Sequence, residues 1–302
     1  MTASVLTIAR GRAAHLANLV RGLTLQTVLP DELVIGVMGD APYADLPETP
    51  FPIRQLLVPG EPIPLARARN AVAEAARSEH LLFLDVDCIP DAPFVAECAA
   101  ALAGWDGVLM GEVMYLPKGL ADGPWTYDRF AAAAERHSDR QGPPPSGVRP
   151  CNDYRCFWSL NFAMSSATWR ASGGFCEDYA GYGGEDTDYG RVLDEAGIPI
   201  GWMRGGRAYH QYHPHHMPPV HHLDAILRNT EVFRSRWGEH TMGHWLHAFE
   251  LMGLVERTGG GYRKLREPDA HDRALTEQQA HMPYANSARV IRALKAGRLA
   301  AE

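Results

Sequence analysis

The chain has 302 residues, 46% of them hydrophobic and 22% charged, the composition of a soluble globular protein large enough to bury a full enzyme core. A net charge of −7, from 36 acidic and 29 basic residues, argues against sequence-independent nucleic-acid binding, which needs clustered Lys and Arg. The first residues lack the basic lead, apolar stretch and cleavage site of a signal peptide, and no window approaches the roughly 18 uninterrupted apolar residues of a membrane helix. A cytoplasmic location without nucleic-acid partners is therefore expected, with peripheral membrane contact left open.

Residues 4–9 form a short apolar run suited to a buried first strand. Residues 12–25 place Leu16, Leu19, Val20 and Leu23 at helical spacing. Strands are expected over 33–38 and 53–58, the second followed by a Pro/Gly-rich loop at 59–64. An Ala-rich helix is expected over 65–77, then a continuous apolar strand over 81–84 of the kind buried on both faces. This alternation predicts a mostly parallel, Rossmann-like sheet flanked by helices. Further on, helices are expected over 91–103, 187–196, 223–237, 245–255 and 287–296, and strands over 108–115, 157–165 and 198–203. Residues 141–150 read as a mobile Pro/Gly loop. The expected division is a catalytic domain over 1–220 and a helical extension over 221–302 that serves as an acceptor-side lid or an oligomer contact. The five cysteines show no C-x-x-C pair, which favours reduced thiols over a thiolate zinc site.

Two acidic segments carry the chemistry. Asp85-Val86-Asp87 follows directly on the buried strand, at the strand end where open α/β sheets gather ligands. Hard cations such as Mg2+ or Mn2+ prefer one or two carboxylates together with substrate phosphate oxygens. A bare Asp-x-Asp is most often a solvated strand end; the apolar residues before it and Cys88-Ile89-Pro90-Asp91 after it favour function. Farther along, Gly183-Gly184-Glu185-Asp186-Thr187-Asp188 combines glycines that allow close backbone approach with more acids than capping one helix requires. Six of the fourteen histidines fall within residues 210–222. Trp125, Tyr127, Trp158 and Trp169 read singly as core or rim residues.

Leu65-Ala66-Arg67-Ala68-Arg69-Asn70, Phe83-Leu84-Asp85-Val86-Asp87, Gly173-Gly174-Phe175 and Gly183-Gly184-Glu185-Asp186, in this order, resemble family 2 glycosyltransferases of the GT-A fold. The last segment is also similar to the Trp-Gly-Gly-Glu-Asp motif of β-1,4-galactosyltransferases, chondroitin-type polymerases and polypeptide N-acetylgalactosaminyltransferases. The resemblance covers about residues 4 to 215. It implies that Asp87 binds an Mn2+ or Mg2+ ion, with His210 as imidazole ligand and His213 as the second choice. It places Asp85 near ribose and metal, and Arg10, Arg67 and Asn70 in the nucleotide pocket. Glu185 would contact sugar hydroxyls beside Gly184, Asp186 would be the catalytic base, and Asn161 would sit on the acceptor side. The implied reaction moves a sugar from a nucleotide diphosphate, with uridine as the implied base, to a hydroxyl on a glycan, lipid-linked sugar or small metabolite, by a single inverting displacement. Two positions depart from the pattern: Ala9-Arg10-Gly11-Arg12 replaces Pro-x-x-Asn-Arg, and Tyr182 stands in place of the motif's Trp.

Two rival readings remain in view. A haloacid-dehalogenase-like phosphohydrolase also places Asp-x-Asp after an apolar strand, but near the amino terminus and with Thr or Val where Ile89 stands. A catalytically silent nucleotide-sugar-binding module would have no need of Asp85, Asp87, Glu185 and Asp186 together.

Overall fold

The apolar runs of the first 90 residues become neighbouring parallel strands. In the computed structural model, which describes residues 2–279 and 281–299, β1 (Ala3–Ala9) is followed by α1 (Ala13–Thr24), β2 (Glu32–Val37), β3 (Ile53–Leu57), α2 (Leu65–Ala75) and β4 (His80–Leu84). Every residue of β1, β2 and β4 is buried, as expected of strands covered on both faces. Leu16, Leu19, Val20 and Leu23 of α1 face one side of the sheet, and Ala66, Ala68, Val72 and Ala73 of α2 face the other. Each fully buried Leu or Val side chain contributes about 1.5–3 kcal/mol to holding these layers together.

The chain continues through β5 (Cys88–Pro90), α3 (Phe94–Leu102), β6 (Val108–Met110), β7 (Val113–Tyr115), α4 (Tyr127–Ala133), β8 (Glu135–Arg136), β9 (Val148–Cys151), β10 (Asn161–Ser165), α5 (Ser166–Ser172), α6 (Glu185–Glu195), β11 (Ile200–Met203) and β12 (Ala208–His210). It ends with α7 (Leu223–Trp237), α8 (Gly243–Leu251), β13 (Val255–Thr258), β14 (Gly261–Lys264), α9 (Ala270–Thr276) and α10 (Ser287–Leu299).

The main sheet has the order β3-β2-β1-β4-β10-β6-β11-β9. Strand order reverses between β1 and β4, because β1 leads outward to β2 and β3 while β4 returns on the other side. That crevice, outside the carboxyl ends of β1 and β4, is where open α/β sheets take their ligands. The sheet is parallel from β3 to β4, then mixed, because β10 runs antiparallel to both β4 and β6. A smaller sheet, β5-β12-β7-β8, sits beyond the carboxyl end of β4.

Several expected elements differ in detail. The run 108–115 is two strands in different sheets, broken at Gly111 and Glu112. A Cβ on Gly111 would stand 2.1 Å from the Gly206 carbonyl oxygen, so the chain crosses its neighbour there at backbone contact. The run 157–165 is a strand only from Asn161, preceded by a 3-10 turn at Tyr154–Cys156. The loop 141–150 ends in β9, which pairs with β11 at the sheet edge. Beyond Trp237 the chain is not wholly helical: α8 stops at Leu251 and a β13–β14 hairpin follows. No helix among the described residues is long and apolar enough to cross a membrane.

The contact at Gly111 yields a test of this packing. Gly111→Ala is expected to lower stability by about 1–3 kcal/mol, the usual cost of overpacking a filled interior, as read by urea unfolding.

Candidate active site

The Asp-x-Asp turn is held on both sides. Asp85 N donates to the Leu160 carbonyl at 2.9 Å, and Cys88 N donates to the Asp85 carbonyl at 2.9 Å, so the turn closes directly at the tip of β4. β5 then runs antiparallel to β12 with Cys88 opposite His210, and Gln211 N donates to the Asp87 carbonyl at 2.7 Å. This pairing carries His210 and His213 to Asp87. One ligand atom from each of the three residues lies within 4.8 Å of the others, and His213 Nε2 stands 3.5 Å from Asp87 Oδ2. Burial pushes the His210 imidazole down to about 3 and the His213 imidazole down to about 4, so both rings are neutral at pH 7 and keep a lone pair for a cation. His210 Nδ1 is buried without a hydrogen-bond partner among the described residues. One carboxylate with two imidazoles is a donor set that fits Mn2+ and is softer than the all-oxygen set Mg2+ prefers.

Two further residues flank Asp87 that the motifs do not identify. Arg12 Nη1 donates to Asp87 Oδ1 at 2.8 Å, and His15 Nδ1 lies 2.9 Å from the same oxygen. Burial would raise the Asp87 carboxyl, but the adjacent His15 ring and the fields of His213, His210 and Arg12 outweigh it and hold it well below the ordinary carboxylate range. Oδ2 is left facing His213. Arg12 adopts φ 54°, a left-handed conformation that turns the chain from β1 into α1 and directs its side chain back over the strand tips. One turn further along α1, Asn18 Nδ2 donates to Gln211 Oε1 at 2.8 Å, which ties the helix to the histidine loop. The sequence signal for this pair was Arg12 and His15 at i and i+3, directly after the first strand.

The second acidic segment reaches the same place through Arg69. This guanidinium is only 5% exposed; Nη1 donates to Glu185 Oε1 at 3.1 Å, and Nη2 lies 3.7 Å from Asp85 Oδ1. Glu185 is buried, and its Oε2 has no partner among the described residues. Asp186, beside it in the first turn of α6, accepts from Thr187 N at 2.8 Å. Burial and the adjacent Glu185 charge, against the pull of Arg69, push the Asp186 carboxyl up to about 7. Burial, opposed by Arg69 and helped by Asp87 and Glu185, lifts Asp85 to about 6. Asp188 belongs to the framework: its Oδ1 accepts from Arg236 Nε at 2.8 Å, Trp237 Nε1 at 2.7 Å and Tyr179 OH at 3.0 Å.

Gly183 and Gly184 take φ 94° and 92°, and a Cβ on Gly183 would stand 2.9 Å from Met242 Sδ and 3.2 Å from the Trp245 ring. The turn is thus pressed against the start of α8, and only glycine meets both the dihedral and the space. Tyr182 stacks on His222 at 4.7 Å and on Trp245 at 5.8 Å, so its ring belongs to the same packing.

The remaining expected site residues divide. Arg10, at the carboxyl end of β1, pairs with Glu61, and Arg67 donates to the Pro59 carbonyl; both exposed guanidinium groups flank the loop over the β1 side of the crevice. Asn70, expected in the nucleotide pocket, is used by the fold: Nδ2 donates to the Phe175 carbonyl and to Glu177 Oε1, each at 2.9 Å, and Oδ1 accepts from Phe175 N at 2.9 Å. Asn161, expected on the acceptor side, is 1% exposed and donates to the Gly206 carbonyl at 2.7 Å, bracing the crossing at Gly111. Both amides hydrogen-bond to backbone groups distant in sequence.

Residues 146–216, from β9 through the Gly-Gly-Glu-Asp turn to the histidine loop, match the family described as the N-terminal domain of galactosyltransferase. Two validoxylamine A glucosyltransferases, from Streptomyces hygroscopicus subsp. jinggangensis (strain 5008) and subsp. limoneus, are each 26% identical to the chain over 197 residues. Those alignments take in 56% of this chain and 44% and 41% of the two relatives, so the chain spans less than half the length of the curated relatives it matches. Among solved structures, that of S. aureus TarS superposes with a TM-score of 0.50 at 12% identity, covering 84% of this chain and 44% of that one. That of GalNAc-T7 with UDP, GalNAc and Mn2+ reaches 0.49 at 14% identity, covering 70% of this chain and 44% of that one. The fold is of the GT-A type, and residues 146–216 are similar to a galactosyltransferase domain.

Arg69 gives the prediction for this site. Arg69→Met leaves the buried Glu185 and the partly exposed Asp85 without their shared cation and is expected to cost about 3–5 kcal/mol in urea unfolding. Arg69→Lys is expected to restore only part of this, since a single ammonium cannot span both acids as the planar fork does.

Proposed function

We propose that the chain transfers a sugar from a nucleotide diphosphate, a UDP-sugar by the motif resemblance, to a hydroxyl acceptor with inversion at the anomeric carbon. One observation carries this reading: Arg69 brings Asp85 of the strand tip and Glu185 of the glycine turn to a single guanidinium, beside the Asp87, His210 and His213 cluster. That arrangement offers a cation site and a candidate base to one substrate. The match to a galactosyltransferase domain and the relatives named as glucosyltransferases support it over the phosphohydrolase alternative.

Asp87, His210 and His213 would hold the divalent cation, with Mn2+ favoured over Mg2+ by the two imidazoles. Such an ion supplies neutralisation of the charge that builds on a leaving diphosphate. Arg12 and His15 hold the Asp87 carboxylate ionised and oriented with Oδ2 toward His213. Arg10 and Arg67, on the rim of the β1 crevice, would meet the nucleotide in this reading. Glu185, with Oε1 engaged by Arg69, offers Oε2 to a sugar hydroxyl. Asp186 takes the proton of the acceptor hydroxyl as that oxygen attacks the anomeric carbon. A carboxyl raised toward 7 is a stronger base than an ordinary aspartate and still substantially ionised near neutrality. α7 and α8, packed on the glycine turn, form the acceptor-side wall in this reading.

Asp186→Asn is expected to reduce kcat about 100-fold or more while UDP affinity in the presence of Mn2+ stays near wild type, measured by UDP release and calorimetry. Wild-type turnover in this variant would refute the assignment of the base. Because the group must be ionised to accept a proton, kcat/KM should rise with pH through about 7 and fall on the acid side. Asp186→Glu should keep that acid limb, and Asp186→Asn should lose it. His213→Ala is expected to weaken Mn2+ binding by about tenfold or more in a metal titration, with His210→Ala behaving alike.

A further inference from the structure

Arg140, in the loop between β8 and β9, is 7% exposed, and neither Nη1 nor Nη2 has a hydrogen-bond partner among the described residues. Its guanidinium carbon stands 5.0 Å from the Trp158 ring centroid and 4.9 Å from that of Trp202, and no described carboxylate forms an ion pair with it. An isolated charge out of water is strongly penalised. Two cation–π contacts offset only part of that penalty. Burial accordingly lowers the Arg140 pKa, opposed by Tyr115, Cys88, Cys156 and Asp186. The indole rings flank the guanidinium, and its Nη1 and Nη2, the donor fork that fits a carboxylate or phosphate, stay unmet among the described residues.

The location says whose anion it is. Trp202 lies on β11 and Trp158 just ahead of β10, whereas the nucleotide crevice lies between β1 and β4. β11 is separated from β4 by β10 and β6, about 14 Å across the sheet at the usual strand spacing. The charge of Asp186 acts on Arg140, after those of Tyr115, Cys88 and Cys156, and a position three strands from the crevice yet within the field of the candidate base belongs, in this reading, to the acceptor. Trp158, which packs on this guanidinium, is half-buried.

We propose that Arg140 is an oxyanion-recognising residue for the acceptor, and that the hydroxyl glycosylated by this protein is carried on a molecule bearing a phosphate or carboxylate group. The proposal rests on the glycosyltransferase reading above for the word acceptor, and on the orphaned guanidinium for the word oxyanion.

The test uses the full chain. Phenyl phosphate and benzoate are titrated into wild type, Arg140→Met and Arg140→Lys without metal and followed by tryptophan fluorescence; UDP with Mn2+ is titrated separately by calorimetry. The expected result is binding of at least one aryl anion to wild type, with Kd raised tenfold or more in both variants and UDP affinity unchanged. Phenyl phosphate alone would assign a phosphorylated acceptor, and benzoate alone a carboxylated one. Arg140→Met should melt at or above the wild-type temperature, because it removes an uncompensated buried charge and keeps an apolar stem between the two indoles. Equal anion affinity in Arg140→Met and wild type would overturn the proposal, as would a lower melting temperature without a change in anion binding, which marks a purely structural strut. A tenfold loss of UDP affinity in Arg140→Met would also overturn it, by assigning the fork to the donor diphosphate. Should UDP fail to bind wild type while aryl anions bind through Arg140, the donor reading falls and the oxyanion site stands.

Discussion

Arg69 must stay charged and in place, because three acids from two distant parts of the chain converge on it. It reaches Glu185 and Asp85 directly, and its charge also acts on Asp186. Carboxylates this close repel one another in a buried setting, and without a shared cation they would protonate or separate. The guanidinium holds the Asp-x-Asp turn and the Gly-Gly-Glu-Asp turn as one site. It does not neutralise that site fully, which leaves Asp186 with a raised proton affinity beside an ionised Asp87. One buried cation thereby accounts for the joining of the two motifs and for much of the division of labour between their acids.

The neighbouring cluster is organised by backbone more than by charge. β5 and β12 are three residues each, yet their antiparallel pairing alone sets His210 beside the turn that ends in Asp87. Side chains then refine it: Asn18 and Gln211 lock α1 to the histidine loop, and Arg12 and His15 orient the carboxylate from the other side. Burial keeps both imidazoles neutral, so the acid is ionised while its partners remain free to donate lone pairs. That combination suits a cation and would be poor as a simple salt-bridge network.

The glycine turn depends on residues outside the main sheet. Met242 and Trp245 close against Gly183 and Gly184, and Asp188 collects Arg236, Trp237 and Tyr179 from beneath the same helix. The carboxyl-terminal helices therefore shape the site they cover. Arg140 is a buried charge of another kind, since no described carboxylate forms an ion pair with it.

The sequence by itself determined the features that depend on neighbours a few positions away. Strand and helix periodicities up to residue 90, the acids on the tip of a buried strand, the glycine-flanked Glu185 and Asp186, and the dense histidines all follow from local spacing. Their element boundaries moved by only a few residues. Tertiary structure decided which groups meet. Arg69 was visible as part of a helix motif, but its partner Glu185 lies 116 residues away, and Arg12 contacts His213 across 201 residues. Asn70 and Asn161 look like binding residues in one dimension, and in three dimensions their amides hydrogen-bond to the backbone at Phe175 and Gly206. Spacing along a chain fixes the face on which a side chain emerges; the partner awaiting it is set by packing, which no local pattern encodes.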